Sequence, residues 1–167
     1  MNPRERRLVS DLRSVQELAD HDLVAFRAEG VTPDRYQLMF TVPGIALEDR
    51  QVVVRNLHRC EIYLHLDYPR RPPVVTWQTP VFHPNLLGPD RNGGVCLGSW
   101  GASESLADLC TRLRDLVSYK SFSVNDPLDH EAADWVLKAS LAPGLDVFSL
   151  AGMTVDEIEV AKAEVGR

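Results

Sequence analysis

Tyr36-Gln37-Leu38-Met39-Phe40-Thr41-Val42 sets Tyr36, Leu38, Phe40 and Val42 alternately with Gln37, Met39 and Thr41. Side chains of an extended chain point to opposite faces in turn, so this stretch predicts a half-buried β-strand. Cys60, Ile62, Leu64 and Leu66 alternate with Glu61, Tyr63, His65 and Asp67 in the same way. Shorter apolar runs at 23–26, 52–54 and 74–77 add further strands. The connections carry Gly30, Pro33, Pro43 and Gly44 and suit hairpins better than crossover helices. An antiparallel meander of about four strands is expected.

Outward from that sheet the period changes. Leu8, Leu12, Val15 and Ala19 fall at helical spacing and predict a first amphipathic helix. Leu106, Leu109, Cys110, Leu113, Leu116 and Val117 share one face of a second helix, with Ser105 as its N-cap. Asp126-Pro127 is placed to open a third, with Ala132, Trp135 and Val136 inward. Thr154 and Glu157 match a capping box for a last helix. Helix, meander, irregular segment and helices in that order make an α+β fold, with helices on one side of a sheet. Residues 1–140 form one domain, and 141–167 a C-terminal helical extension packed on or following it.

Composition narrows the function. The chain has 167 residues, enough for one core without disulfides or metals. A net charge of −6 argues against duplex nucleic acid as main partner, since phosphate neutralisation needs an excess of Lys and Arg. No apolar run approaches bilayer length, and no signal-peptide core follows the basic start, so a cytoplasmic location without membrane contact is expected. Cys60, Cys96 and Cys110 are widely spaced and odd in number, which suggests free thiols rather than a disulfide framework or zinc site. His21, His58, His65 and His130 show no ligand spacing, and no cofactor is implied.

The segment after Pro80 carries the chemistry. Proline and glycine stiffen it, and Cys96 sits on a loop between two apolar neighbours, with His83 and Asn85 within thirteen residues. Gly93-Gly94 permits positive φ or close backbone approach beside the thiol. His83, between Phe82 and Pro84, braces the loop or acts as a base toward the thiol. Asn85 offers an amide N–H to an oxyanion, or stabilises its own loop by an Asx-type bond. No cation flanks Cys96 in sequence, while Glu104 and Asp126 would disfavour its thiolate. A thiol of that kind suits a carrier that receives an acyl group activated elsewhere. Cys60, Cys110, Trp77 and Trp135 read as core. Trp100 covers the thiol or packs, and packing is the simpler reading.

Four motifs in register, Tyr68-Pro-x-x-Pro-Pro73, Phe82-His-Pro-Asn85, Gly94-Val-Cys-Leu97 and Asn125-Asp-Pro-Leu128, resemble ubiquitin-conjugating enzymes. The resemblance spans roughly residues 4–138 and implies that family's fold. It implies Cys96 as the residue that forms a thioester with a ubiquitin-like modifier, received from an activating enzyme and passed to a lysine of an acceptor protein. Asn85 then matches the oxyanion asparagine and Asp126 the acidic residue that orients the incoming lysine; Asp126 is equally placed as a helix N-cap. His83, Pro84, Gly94 and Trp100 support the active-site loop. Arg4, Arg6, Arg7 and Arg13, on a locally basic first helix, match the surface that docks the activating enzyme, or form a solvated face.

The sequence departs from the family in three places. Thirteen residues from His83 to Cys96 exceed the usual spacing, through Gly88 to Asn92. After Cys96 the usual Trp-Ser-Pro-Ala is absent, which puts dependence on a RING-type ligase in doubt. The region 50–59 lacks the usual Tyr-Glu-Gly-Gly turn and carries Val52-Val53-Val54. These departures resemble prokaryotic relatives found beside activating and deconjugating enzymes, a setting that suggests antiviral defence. Two other readings use the same residues: an inactive variant that only binds a modifier, and a Cys–His hydrolase of thioesters or isopeptides.

Overall fold

A computed structural model describes residues 1–140 and 146–157. Helix α1 (Pro3–Asp20) opens with a reciprocal cap: the Asn2 side chain accepts from Glu5 N at 2.8 Å, and Glu5 accepts from Asn2 N at 2.9 Å. Its buried stripe is Leu8, Asp11 and Val15, so a carboxylate lies among the apolar residues. Strands β1 (Ala25–Arg27), β2 (Arg35–Phe40), β5 (His58–Tyr63) and β6 (Val74–Trp77) pair antiparallel in that order. Register aligns Leu38, Cys60 and Trp77 across three strands, and Tyr36, Ile62 and Val75 one pleat away. The inward members Tyr36, Leu38, Phe40, Cys60, Ile62 and Trp77 are buried. Against them lies helix α2 (Leu106–Val117), all six predicted face residues buried, capped by Ser105 and Asp108 acting reciprocally. The main core sits between sheet, α1 and α2.

Between β2 and β5 the chain leaves the sheet as a hairpin, β3 (Gly44–Glu48) and β4 (Gln51–Arg55). Asp49 and Arg50 both take positive φ at its tip, as a two-residue turn of the primed type requires. Its neck is closed by buried His58, whose Nε2 lies 3.0 Å from Val42 O and 2.9 Å from Arg55 O. Gly44 fits there because a Cβ would lie 2.6 Å from the His58 ring. Ile45 and Val52 of the hairpin join Phe82, Val147, Leu150 and helix α3 (His130–Ser140) in a second core.

Several sequence expectations shift. Strand β3 occupies a stretch read as a connection. The 23–26 run gives a strand at Ala25–Arg27, and β5 ends at Tyr63, leaving Leu66 83% exposed. Helix α3 opens at His130 with Asp129 as its cap, its Oδ1 accepting from Ala132 N at 3.0 Å. Asp126 instead adopts φ 50, a turn conformation aspartate tolerates, so it is not the N-cap. Residues of the last expected helix beyond Glu157 lie outside the described residues. What precedes them is a 3-10 turn (Val147–Leu150) and a run of turns whose backbone bonds to β4: Val52 N donates to Met153 O at 2.8 Å, and Gly152 N to Val52 O at 2.7 Å. Thr154 bridges Gln51 while its own amide meets Glu157.

Candidate active site

The loop between β6 and α2 folds back on itself. Cys96 N donates to Asn85 O at 2.9 Å and Leu87 N to Gly94 O at 2.8 Å, while Leu86 bridges Val95. This pinch sets the Cys96 backbone beside that of Asn85 and expels residues 88–93 as a side loop with a 3-10 turn at Pro89–Arg91. The long His83–Cys96 spacing therefore lengthens the side loop and leaves the Cys96–Asn85 pairing intact. Cys96 is half-buried, whereas Cys60 and Cys110 are buried. Burial pushes the Cys110 thiol up to about 12 and raises that of Cys60, which leaves both inert as nucleophiles.

Of the two glycines, Gly93 is the one the backbone requires. It has φ 63, and a Cβ on it would lie 2.3 Å from Trp77 O; its own carbonyl accepts from Trp77 N at 2.8 Å. A Cβ on Gly94 would meet only the Leu87 side chain, at 3.2 Å. Gly93→Ala is expected to cost about 3 kcal/mol in urea unfolding, through positive φ and the clash with strand backbone together. Gly94→Ala should cost under about 1 kcal/mol, since a side chain can move; equal costs would refute this assignment.

His83 is fully buried and stacks on Tyr119 with ring centres 4.5 Å apart. Its Nδ1 accepts from Asn85 N at 2.9 Å, so the proton of the neutral ring sits on Nε2. Burial holds the imidazole down to about 3, with the Leu116 backbone a smaller opposing influence. Neither nitrogen offers a lone pair to the Cys96 thiol, which argues against the Cys–His hydrolase reading. Burial also lowers the pKa of His58. Between pH 6.5 and about 3 the unfolded chain therefore binds protons at His83 that the native state refuses. Stability is complete above pH 6.5 and falls as pH decreases through that window, by about 1.4 kcal/mol per unit. From pH 7.5 to 5.0 His83 alone should remove about 2 kcal/mol, read as a fall in the urea midpoint that His83→Gln flattens.

Asn85 is 2% exposed and clamped to the α2–α3 connection. Its Nδ2 donates to Ser123 O at 3.0 Å, and its Oδ1 accepts from Ser123 N at 2.8 Å. The loop-fixing role is thus observed, and the second Nδ2 hydrogen remains for another acceptor. Pro84 contributes its carbonyl, which accepts from Leu128 N at 2.8 Å and Asp129 N at 3.2 Å. Asp126, exposed, rides on that anchored segment. Leu128 Cδ1 lies 3.9 Å from where a Cβ on Gly94 would stand, so the segment borders the Cys96 loop.

Downstream of the thiol, Arg112 of α2 donates to Leu97 O at 3.1 Å and Ser99 O at 2.9 Å and pairs with Glu104. Sequence reasoning missed this guanidinium, because its helix position gives no sign of what it reaches. Glu104, counted there as a free negative charge, is paired. Trp100 packs: its Nε1 donates to Pro69 O at 2.8 Å, and its ring lies against Tyr68. Arg7 donates to Ala102 O at 2.7 Å, to Glu104 O and to Tyr68, and Arg4 donates to Leu64 O and His65 O. Those two arginines are committed to the body, whereas Arg6 and Arg13 are exposed. Among the described residues no cluster of His, Cys, Asp and Glu could hold a metal ion, and no helix is long and apolar enough to cross a membrane.

Comparison with known proteins agrees with this architecture. The chain is 33% identical over 86 residues to ubiquitin-conjugating enzyme E2 13 of Saccharomyces cerevisiae, a match covering 48% of this chain and 53% of that protein. It is 34% identical over 77 residues to ubiquitin-conjugating enzyme E2 16 of Schizosaccharomyces pombe, covering 44% and 46% respectively. The chain thus spans about half the length of these curated relatives. A solved structure of a putative ubiquitin-conjugating enzyme from Trypanosoma cruzi superposes with a TM-score of 0.60 at 23% identity, covering 81% of this chain and 91% of that one. The family model described as ubiquitin-conjugating enzyme matches residues 7–140, most of the chain, and the chain belongs to that family.

Proposed function

We propose that this protein carries a ubiquitin-like modifier as a thioester on Cys96 and transfers it to an amine, a lysine of an acceptor protein. The carrying observation is half-buried Cys96, on backbone bonded to Asn85, whose side-chain amide is itself locked. In loading, Cys96 sulfur attacks the modifier's thioester carbonyl on an activating enzyme. A new C–S bond forms, the old one breaks, and the Cys96 proton passes to the departing thiol. In transfer, a neutral amine attacks the carbonyl and the oxyanion is met by the free Asn85 N–H. The C–S bond then breaks, the amide forms, and the amine's proton returns to the sulfur. Asp126 receives or orients the lysine ammonium; positioning counts for more here than basicity. Exposed Arg6 and Arg13 supply the basic surface for the activating enzyme, with Arg4 and Arg7 setting the helix that presents them.

The test is incubation with ATP, an activating enzyme and its modifier, followed by a non-reducing gel. The parent should give an adduct that dithiothreitol removes, Cys96→Ser one that resists dithiothreitol, and Cys96→Ala none. An adduct that persists in Cys96→Ala would refute the assignment. A prokaryotic setting, with a role in defence, predicts that the gene adjoins genes for an activating enzyme and a small diglycine-ended protein.

A further inference from the structure

We infer that Arg91, in the side loop ahead of Cys96, is a positioning residue that fixes the Asp126 segment for attack by the acceptor amine. Its Nη1 donates to Asp129 Oδ2 at 3.0 Å, and its Nη2 reaches Leu128 O at 3.4 Å. Asp129 is well placed to pass this on. Its side chain is only 15% exposed, and its other oxygen caps α3. The Leu128 and Asp129 amides meet Pro84 O. One guanidinium thus ties the extra loop, the start of α3 and the His83–Asn85 turn together. Asp126 is separated from this anchor only by Pro127, whose ring fixes one of the intervening dihedrals. Half-exposed as it is, the ion pair adds little to stability, so its effect falls on geometry. This inference rests on the thioester reading above and assigns a function to the lengthened loop.

The experiment compares Arg91→Ala, Arg91→Lys and Asp129→Asn, the last keeping an N-cap oxygen while removing the charge. Cys96 is loaded, the activating enzyme is quenched, and discharge is followed with free lysine and with hydroxylamine, an amine already neutral that needs no carboxylate partner. Arg91→Ala and Asp129→Asn should discharge to lysine about 10-fold more slowly at saturating lysine, with little change toward hydroxylamine. Arg91→Lys should recover part of the rate. Equal losses on both nucleophiles, or none on lysine, would overturn the inference. Hydrogen exchange on the unloaded protein decides separately from loading. Leu128 and Asp129 amides should exchange faster in Arg91→Ala, and unchanged protection would overturn the positioning role. Failure of the parent to load at all would instead count against the thioester reading.

Discussion

Replacing Asn85 with alanine is expected to slow transfer from loaded Cys96 to lysine about a hundredfold, the usual consequence of deleting one oxyanion donor. On the proposed reading that donor is preorganised: one Nδ2 hydrogen is spent on Ser123 O, the Oδ1 is held by Ser123 N, and the residue is almost wholly buried. The other Nδ2 hydrogen therefore has a fixed direction and needs no reorganisation when charge develops. Alanine also removes two hydrogen bonds to Ser123 and should lower stability by about 2 kcal/mol. Against a total of roughly 5–15 kcal/mol the variant still folds, so its rate can be measured. Asn85→Asp separates the two roles. A carboxylate still accepts from Ser123 N but gives no donor, so it should transfer as poorly as alanine. If Asn85→Ala discharges within about threefold of the parent, the residue only fixes its loop.

The largest stability effect is expected at Asp11. One carboxylate, on the buried stripe of α1, accepts from Arg7 Nε at 2.8 Å, the Tyr68 hydroxyl at 2.6 Å and Leu106 N at 3.0 Å. The third of these satisfies an otherwise orphan amide at the start of α2. Burial first, and Asp11 second, push the Tyr68 phenol up, so its proton stays on that bond. Asp11→Ala would take the acceptor from three donors at once, Arg7 Nε, the Tyr68 hydroxyl and Leu106 N. Full burial would put the loss at about 3–5 kcal/mol; with the Arg7 side chain still 21% exposed, about 3 kcal/mol is expected. A urea midpoint shift at unchanged slope measures it. Because Arg7 also holds Ala102 O and Glu104 O, loosening should extend toward the segment after Cys96. A loss under about 1 kcal/mol would mean that the pair contributes no more than an exposed one.

The meander and α2 were legible because their apolar spacing is periodic and local. Leu38, Cys60 and Trp77 meet across strands as alternation requires, and the α2 face was found residue for residue. Strand β3 was hidden because Ile45-Ala46-Leu47 is short and follows Pro43-Gly44, which reads as a turn. A last helix is expected from Thr154, and Glu157 accepts from the Thr154 amide as half of that capping box, with the residues beyond it outside the described ones. What spacing does not disclose is that the stretch just before it bonds to β4, roughly one hundred residues earlier. Asp126-Pro127 carries the composition of a helix start, but Asp129 holds the cap. Asp11 had a usable signal, since it falls on the 8-11-15 stripe, though its partners Tyr68 and Leu106 are far away in sequence. The thiol and Asn85 could be picked out by motif alone. The clamps on either side, Arg91 and Arg112, could not, because long side chains reach acceptors that spacing does not disclose.

The backbone pairing of 152–155 with β4 makes hairpin and tail mutually dependent. Cutting the chain after Ser140 would bare a strand margin and strip Val147 and Leu150 from the second core, inviting other chains to stack there. Grafting the hairpin into a shorter relative without its tail would carry the same hazard, so the two pieces should be inherited, and engineered, together.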